Sequence, residues 1–156
     1  MIDIDNFTGK YQFLSNFYPV NVTYGGHRYP TLEHAYQAAK FQDINVRKKI
    51  RSCHTPGAAK RQAWLWPIET ADWDRHRLDV MRQLLEKKFN GPEPQHQDLR
   101  QALLDTGDAC LIEGNTWGDT FWGVCKGEGE NHLGLMLMEL RGELGGIGVV
   151  EDLSDL

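Results

Sequence analysis

The sequence predicts a helix-rich α+β domain, with a few short strands near the N-terminus and before the last helix. After residue 30, several stretches repeat apolar residues at helical spacing between capping residues and Gly or Pro stops; the first 30 residues alternate strand-like runs with turn formers. A length of 156 residues with 40% apolar residues suits a single folded domain. We therefore expect one domain over residues 1–156, with a core from about residue 7 to residue 144 and a loose acidic tail over residues 145–156.

Three runs of strand-forming residues open the chain: Tyr11–Phe13, Val20–Tyr24 and His27–Tyr29. Gly25-Gly26 joins the last two and predicts a hairpin, because glycine adopts the positive φ angles of tight hairpin turns. The loop before the hairpin, Leu14–Pro19, combines polar groups with aromatic side chains. Such a loop either covers the edge of a core or contributes to a site.

Capping residues predict three successive helices, over Thr31–Gln42, Asp43–Arg51 and Thr55–Trp64. The longest periodic stretch, Asp72–Phe89, repeats apolar residues every three or four positions, and Asn90-Gly91-Pro92 ends it. The remaining predicted elements are a helix over Gln95–Asp105, a buried strand over Cys110–Glu113 and a helix over His132–Leu144.

The charge and hydropathy of the chain exclude some classes of protein. A net charge of −5 argues against broad electrostatic binding to nucleic acid, although a local basic patch from Arg28, Lys60 and Arg61 could reverse this. No run approaches the 18 apolar residues of a membrane span, and the N-terminus lacks the pattern of a signal peptide. We expect a cytoplasmic protein that does not interact with membranes; the sequence does not predict its oligomeric state.

The three cysteines, Cys53, Cys110 and Cys125, are widely spaced and include no C-x-x-C pair. They suit structural roles in a reducing compartment better than a disulfide framework or a zinc site. The six histidines form no H-x-x-x-H pattern. The sequence therefore predicts neither a metal site nor a cofactor.

Thr31–Phe41 carries a polar stripe on its predicted helix. At 100° per residue, Gln37 lies about 40° from Glu33 and Lys40 about 20° from it, so that a carboxylate, an amide and an amine share one side. Apolar and aromatic residues flank the stripe. It is either a solvated salt-bridge face or the floor of a polar site.

Two common motifs are missing. The glycines of Gly127–Gly134 do not match G-x-G-x-x-G, and Asn131 is better interpreted as the N-cap of the last helix. No G-x-S-x-G is present. Unusual residues concentrate instead in the Ser15–Tyr18 loop, the Thr31–Phe41 helix and Glu113–Trp122. Stacking rings, amides and carboxylates of this kind suit a pocket for a flat base and a sugar.

Four motifs resemble those of the NADAR family, which includes the YbiA-like N-glycosidases. They are Phe13–Pro19 (FLSNFYP), Thr31–Phe41 (TLEHAYQAAKF), Asp119–Gly123 (DTFWG) with Glu113 before it, and Gly129–Arg141 (GENHLGLMLMELR). The match runs in order from about residue 7 to residue 144, nearly the whole chain. Two departures stand out: Lys60-Arg61-Gln62 lies where the family often has Gly-Arg, and many members have residues other than Thr116-Trp117-Gly118 at that place.

The resemblance implies a compact, metal-free, helix-rich α+β fold that hydrolyses the bond between ribose C1 and a base-like nitrogen. Its implied substrates are phosphoribosylamino-pyrimidine intermediates of riboflavin biosynthesis, or ADP-ribosylated guanine in nucleic acid. Catalytic roles are implied for Glu33, Lys40 and Asp119. Substrate contacts are implied for eight residues: Ser15, Asn16, Phe17, Tyr36, Gln37, Glu113, Trp122 and Asn131. The alternative is a non-catalytic module that binds ADP-ribose or a related nucleotide in the same pocket.

The chemistry suits the proposed catalytic residues. Breaking a ribose C–N bond develops positive charge at C1, which the Glu33 carboxylate could stabilise. A helix N-terminus favours the ionised carboxylate, so Asp119 or a water would help to protonate the leaving base. Lys40 could attack C1 of an opened ribose to form an imine, if desolvation keeps its amine neutral. A charged Lys40 would instead pair with a phosphate or carboxylate. Asp119 could equally cap a turn.

Overall fold

The structure, a computed structural model, describes residues 3–145. Its contacts divide the chain into two compact units. We call Asn16–His96 the central unit, and residues 3–15 with 97–145 the terminal unit. The predicted helix-rich α+β class is confirmed. The predicted tail over residues 145–156 lies, except for its first residue, outside the described part of the chain.

The central unit consists of a hairpin and four helices. Strands β1 (Pro19–Tyr24) and β2 (His27–Thr31) pair in antiparallel fashion, as predicted, and turn at two glycines with positive φ angles. The helices are α1 (Leu32–Ala38), α2 (Ile44–Arg51), α3 (Pro56–Ala63) and α4 (Trp73–Phe89). Every residue of α1 is buried, because the other three helices and both strands pack against it. Glu33 and Gln37 therefore lie in the interior of this unit.

The predicted caps of the central helices are confirmed. Thr31 Oγ1 accepts a hydrogen bond from the backbone N–H of His34 at 3.1 Å, and Asp43 Oδ1 accepts one from Asn45 at 2.8 Å. Thr55 caps α3 in the same way. Each cap satisfies a backbone N–H that has no partner within its own helix.

Helix α1 ends four residues earlier than predicted, so Lys40 does not lie on it. The N–H groups of Lys40 and Phe41 donate to the carbonyls of Gln37 and Ala38, three residues back, which tightens the chain into a turn. The Lys40 carbonyl then accepts from the N–H groups of Glu69 and Thr70, both at 2.9 Å. Tertiary hydrogen bonds therefore replace the helical ones that would have extended α1.

The terminal unit begins with a 3₁₀ helix, Gly9–Leu14, where a strand over Tyr11–Phe13 was predicted. That prediction was wrong: Tyr11 and Ser15 donate to carbonyls three residues earlier, and Gly9 enters the helix at a φ of 57°. The later elements are α5 (Pro94–Asp105), which starts in the central unit, then β3 (Gly114–Asn115), β4 (Val124–Cys125) and α6 (His132–Gly145).

The predicted strand over Cys110–Glu113 is reduced to a parallel bridge between Leu111 and Ile4. Ile4 donates to the Cys110 carbonyl and accepts from Ile112, both at 2.8 Å. The named strands, β3 and β4, follow it and pair in parallel. Within the described residues, none of the helices has the length and apolar character needed to cross a membrane.

Candidate active site

Glu33 and Gln37 form a buried carboxylate–amide pair on α1. Only 8% of Glu33 and 2% of Gln37 is exposed, and Gln37 Nε2 donates to Glu33 Oε2 over 3.3 Å. With its amide nitrogen turned to the carboxylate, Gln37 leaves Oε1 buried and without a hydrogen-bond partner among residues 3–145. A buried acceptor of this kind is costly unless a water or ligand satisfies it.

The loop that precedes β1 is tied to the start of α1. The backbone N–H of Glu33 donates to the Asn16 carbonyl at 3.1 Å. Asn16 Nδ2 lies 3.6 Å from the sulfur of Met81 on α4, and Asn16 Oδ1 is a second buried acceptor without a partner in the described chain. The next residue, Phe17, has 43% of its surface exposed. The loop thus holds the Asn16 backbone at the start of α1 and leaves Phe17 partly exposed.

The amine of Lys40 lies in an aromatic, partly desolvated environment. Its Nζ is 5.4 Å from the centroid of the Tyr36 ring, which packs against Trp73 with 5.4 Å between centroids. Burial lowers the pKa of Lys40; the Glu33 carboxylate opposes this shift, and the cations of Lys60 and Arg77 add to it. A larger share of Lys40 is therefore neutral near pH 7 than of an exposed lysine.

His34 is a structural residue that the sequence analysis did not single out. Its Nε2 lies 2.9 Å from the Cys53 carbonyl and its Nδ1 lies 2.7 Å from Thr31 Oγ1. Burial lowers the pKa of His34, so we assign a neutral ring that donates from Nε2 and accepts at Nδ1. The ring joins the start of α1 to the α2–α3 connection. A histidine three residues after a capping threonine was the available signal.

In the terminal unit, Asn115 joins Glu113 to Asp119. Its Nδ2 donates to Glu113 Oε2 at 3.1 Å and to the Asp119 carbonyl at 2.8 Å, and its Oδ1 accepts from the Asp119 N–H at 3.0 Å. This role of Asn115 was not predicted, because hydrogen bonds that a side chain makes within its own loop leave no periodic pattern in the sequence.

Asp119 caps the turn that carries Trp122. Its Oδ1 accepts the backbone N–H groups of Phe121 at 3.2 Å and of Trp122 at 2.9 Å. The rings of Phe121 and Trp122 meet edge to face, 4.8 Å apart, and Phe121 also packs on His132. Asp119 therefore caps a turn, as one of the two interpretations predicted. The role of Asp119 in protonating a leaving group stays a prediction.

Asn131 occupies the predicted N-cap position of α6, which begins at the next residue, and its carbonyl accepts from the Leu135 N–H at 3.0 Å, but its side chain bonds to another segment. Its Oδ1 accepts from the Glu113 N–H and its Nδ2 donates to the Leu111 carbonyl, both at 3.0 Å. A φ of 53° turns the side chain towards that segment. Asn131 therefore fixes the backbone of Glu113; its predicted contact with substrate stays a prediction.

Gly123 leaves room for the Glu113 side chain. A Cβ atom at this position would collide with the carboxylate and the carbonyl of Glu113 and press on Asn115 Nδ2. The DTFWG motif ends in glycine for this steric reason. Gly134 is constrained similarly by the Leu111 carbonyl and the Asn131 side chain.

The predicted site residues fall into two groups, one in each unit. The central unit holds Asn16, Phe17, Glu33, Tyr36, Gln37 and Lys40, and the terminal unit holds Ser15, Glu113, Asp119, Trp122 and Asn131. Contacts within the central group join Glu33 to Gln37 and Asn16, and Lys40 to Tyr36. Within the terminal group, Glu113 contacts Asn131.

An open cleft of about 650 Å³ lies in the terminal unit, apart from these residues. Its walls come from the 3₁₀ helix, α5 and their flanks: Ile4, Lys10, Tyr11, Phe13, Ala102, Asp105, Thr106, Asp108 and Ala109. No predicted site residue lines it. The Lys40 amine, whose pKa is perturbed by burial and by neighbouring charges, and the buried Glu33–Gln37 pair lie in the central unit.

No three His, Cys, Asp or Glu side chains within residues 3–145 cluster in a way that could hold a metal ion. The cysteines are free thiols; Cys53 and Cys110 are half-buried and Cys125 is buried.

These features describe a small α+β protein with a buried acid, its supporting amide and a lysine of lowered pKa. The chain belongs to the NADAR family, since the family model for the NADAR domain matches residues 5–145. The resemblance inferred from the four motifs is thereby confirmed.

Relatives named as enzymes cover most of the chain. It is 37% identical to N-glycosidase YbiA of Escherichia coli over 147 residues, covering 92% of this chain and 88% of that protein. It is 36% identical to N-glycosidase Npun_R5314 of Nostoc punctiforme, covering 86% of each. The NMR structure of the E. coli protein YbiA superimposes with a TM-score of 0.77 over 98% of this chain and 89% of that one.

A longer relative has a different name. The riboflavin biosynthesis protein VVA0006 of Vibrio vulnificus is 38% identical over 138 residues, which cover 85% of this chain. This chain spans only 35% of the length of that protein. The matching domain therefore occurs both by itself and as part of larger proteins.

Proposed function

We propose that this protein is an N-glycosidase that hydrolyses the bond between ribose C1 and a base nitrogen in a nucleotide-like substrate, using Glu33 and Lys40. Membership of a family whose curated relatives are named N-glycosidases supports the reaction class. The single observation that supports the assignment of residues is the buried Glu33–Gln37 pair beside a lysine whose pKa is lowered.

Glu33 stabilises the positive charge that develops at ribose C1 when the C–N bond breaks. As the C–N bond lengthens, C1 becomes positive, and an ionised carboxylate in a dry environment stabilises that charge strongly. Gln37 holds the carboxylate through its amide N–H. An N–H donor stabilises an ionised carboxylate more than a protonated one, so Gln37 supports the charged Glu33 that this role needs.

Lys40 acts as the nucleophile. The ribose ring first opens as the bond between C1 and the ring oxygen breaks; the oxygen takes up a proton and C1 is left doubly bonded to the base nitrogen. The neutral amine of Lys40 adds to C1, and the remaining C1–N bond to the base breaks as the base nitrogen takes up a proton. The resulting imine adds water at C1, which releases the sugar and regenerates the amine. Desolvation by burial and the cations of Lys60 and Arg77 support the neutral amine at the start of this sequence.

Two candidate substrates test the reaction and its substrate class together. The protein is incubated in parallel with a phosphoribosylamino-pyrimidine and with DNA that carries ADP-ribosylated guanine, and the release of ribose phosphate or ADP-ribose is measured. Release from either one supports the proposal. Binding of both substrates without release from either would identify a nucleotide-binding module and refute the enzymatic proposal.

Variants at the two proposed catalytic residues test their roles. Glu33→Gln keeps the size of the side chain and removes its charge, so we expect kcat to fall by about 100-fold or more. Lys40→Ala and Lys40→Arg should both lose activity, because only lysine supplies an amine that forms an imine. Lys10→Ala, a change at an exposed lysine of the terminal unit, is the control and should leave kcat unchanged.

Trapping with borohydride tests the covalent step directly. Reduction during turnover should add the mass of the sugar to Lys40 of the wild-type protein and leave Lys40→Ala unlabelled. Equal labelling of the two proteins, or full activity of Lys40→Arg, would rule out the imine. The remaining role for Lys40 would then be that of a charged group that pairs with a phosphate of the substrate.

A further inference from the structure

Hydrogen-bond acceptors crowd the buried surroundings of Glu33. Gln37 Oε1 and Asn16 Oδ1 are buried and accept no hydrogen bond from residues 3–145. The carboxylate of Glu33 adds two further acceptor oxygens, one of which binds the Gln37 amide N–H. A group that enters these surroundings therefore has to bring hydrogen-bond donors with it.

Gln37 also connects Glu33 to the lysine. Its side-chain amide donates to Glu33 Oε2, and its backbone carbonyl accepts from the Lys40 N–H at 3.3 Å. The Glu33 carboxylate and the Lys40 amine are close enough to interact electrostatically, and Lys40 Nζ lies over the ring of Tyr36, the residue before Gln37. The acid, the amide and the amine thus form one local group on α1 and the turn that follows it.

The Gln37 oxygen needs a donor in the free protein as well as in a complex. Nearly all buried polar groups of native proteins have a partner in the protein or an ordered water. Only 2% of Gln37 is exposed, and the part of the chain that the structure describes supplies no donor to Oε1. A buried water needs several polar partners, which Gln37 Oε1 and the adjoining Glu33 carboxylate provide.

These acceptors would make such a water a nucleophile. A water that donates both of its hydrogens to acceptors keeps its lone pairs free to attack an electron-poor carbon. A carboxylate among the acceptors can also take up the proton that the attack releases. The Glu33–Gln37 pair therefore has the means both to orient a water and to deprotonate it.

We propose that Gln37 is a positioning residue for the second half of the reaction, in which its Oε1 and the Glu33 carboxylate hold the water that hydrolyses the imine on Lys40. This inference rests on the proposed function. The water oxygen bonds to C1, the electron pair of the C1–Nζ double bond moves to nitrogen, and one water proton passes through the Glu33 carboxylate to Nζ. The remaining C1–Nζ bond then breaks as the new hydroxyl gives its proton to Nζ. The sugar leaves as an aldehyde, and Lys40 is again a neutral amine.

A substrate hydroxyl is the other group that could satisfy Gln37 Oε1, and kinetics separate the two roles. Loss of a substrate contact would raise KM and slow the release of base in every turnover. Loss of the water site slows the hydrolysis of the imine, so that the first base is released before the protein stalls as an adduct on Lys40. A burst of base release therefore identifies the water role.

Rapid-quench measurement of base release tests this role, with whichever of the two candidate substrates the wild-type protein cleaves. Gln37→Met removes Oε1 at a similar side-chain volume. We expect a burst equal to the amount of protein, followed by turnover about 100-fold slower than that of the wild-type protein, because general-base help to the water is lost. Borohydride should trap a larger share of Gln37→Met than of the wild-type protein as the Lys40 adduct.

Further variants complete the comparison. Gln37→Glu keeps an acceptor oxygen, and its protonated form can donate to Glu33 as the amide does, so it should show no burst. Gln97→Met, the same replacement at an exposed glutamine of α5, should match the wild-type protein. Circular dichroism checks that the variants are folded. If Gln37→Met is unfolded, Gln37→Asn takes its place and should show the same burst, because it draws the amide oxygen back by one methylene.

Hydroxylamine tests the missing step directly, because it attacks an imine without the help of a base. It should restore the turnover of Gln37→Met to the rate of its burst. It should not restore Glu33→Gln, in which the formation of the imine is impaired.

Slow turnover of Gln37→Met without a burst, or without a response to hydroxylamine, would overturn the proposal, while the activity of the wild-type protein would still uphold the proposed function. A wild-type protein that releases no base from either substrate would instead refute the proposed function, and the water role with it.

Discussion

Among single residues, Lys40 shows most clearly how surroundings set chemistry. An exposed lysine carries its proton at neutral pH and cannot attack a carbon. Burial beside Tyr36 lowers the pKa of Lys40, Glu33 opposes the shift, and Lys60 and Arg77 reinforce it. The pKa of this amine therefore depends on the charges of its neighbours as well as on burial.

This dependence predicts a shift in the pH profile of Lys60→Gln. Removing the Lys60 cation raises the pKa of Lys40, so the neutral amine should form, and kcat should rise, at a higher pH than in the wild-type protein. The measurement is kcat against pH for the two proteins. Lys10→Gln makes the same change of net charge in the terminal unit and should leave the profile in place. A shift to lower pH for Lys60→Gln would contradict Lys40 as the titrating nucleophile.

Among the structural elements, the loop from Glu113 to Gly123 keeps its conformation only because Gly123 has no side chain. Asn115 and Asp119 hold the loop through side-chain hydrogen bonds, and Gly123 lets the Glu113 carboxylate pass next to the backbone. The loop thus presents Glu113 and Trp122 in a conformation that a single added methyl group would disturb.

Gly123→Ala should destabilise the protein by about 1–3 kcal/mol, since the new Cβ overpacks against Glu113. Denaturation by urea measures the change. The control is Gly142→Ala in α6, where a Cβ meets no atom within 4 Å; there the helix propensity of alanine should stabilise the protein by about 1 kcal/mol. A Gly123→Ala variant of unchanged stability would mean that the loop relaxes around the methyl group.

Helix α4 carries a fully buried lysine near its C-terminus. Lys88 Nζ lies 5.0 Å from the centroid of the Phe89 ring and 5.9 Å from that of Tyr18, and burial lowers the pKa of Lys88 to about 7. The negative end of the helix dipole favours a charged lysine there, but desolvation outweighs it. The burial of Lys88 was not predicted, because the sequence pattern does not separate it from the exposed Lys87.

Lys88 should make stability depend on pH in a defined window. The unfolded chain protonates this lysine below its ordinary pKa of 10.5, whereas the folded protein does so only below about 7. As the pH rises from 7 to 10.5, the wild-type protein should therefore gain stability relative to Lys88→Met, by up to about 1.4 kcal/mol per pH unit.

Urea denaturation between pH 7 and pH 9 measures this difference. The control is Lys87→Met, the same replacement at the exposed neighbouring position. Its free energy of unfolding relative to the wild-type protein should stay constant with pH. A constant difference for Lys88→Met as well would show that Lys88 stays charged in the folded protein.

For the molecule as a whole, the net charge hides the way in which positive and negative residues are divided between the two units. A value of −5 argued against broad electrostatic binding to nucleic acid, yet the central unit, which holds Lys40, contains 13 Lys and Arg against 8 Asp and Glu. Because electrostatic binding depends on charges within about 10 Å at ordinary salt concentration, the local distribution determines what such a surface attracts.

Much of the fold was predictable because local chemistry determined it. The caps at Thr31, Asp43 and Thr55, and the glycine turn of the hairpin, use neighbouring residues, and all are confirmed. The errors came where distant partners compete. The end of α1 is set by hydrogen bonds from residues 69 and 70, and the amide of Asn131 is used by residues 111 and 113.

The sequence by itself determined the family, the helix-rich α+β class and the identity of the candidate site residues, because motifs and periodic patterns are properties of adjacent positions. Tertiary structure decided the environments of those residues: the burial of Glu33 with Gln37, the lowered pKa of Lys40 and the turn-capping bonds of Asp119. Desolvation and electrostatic interactions depend on which atoms surround a group in space. They are therefore set only when the chain has folded.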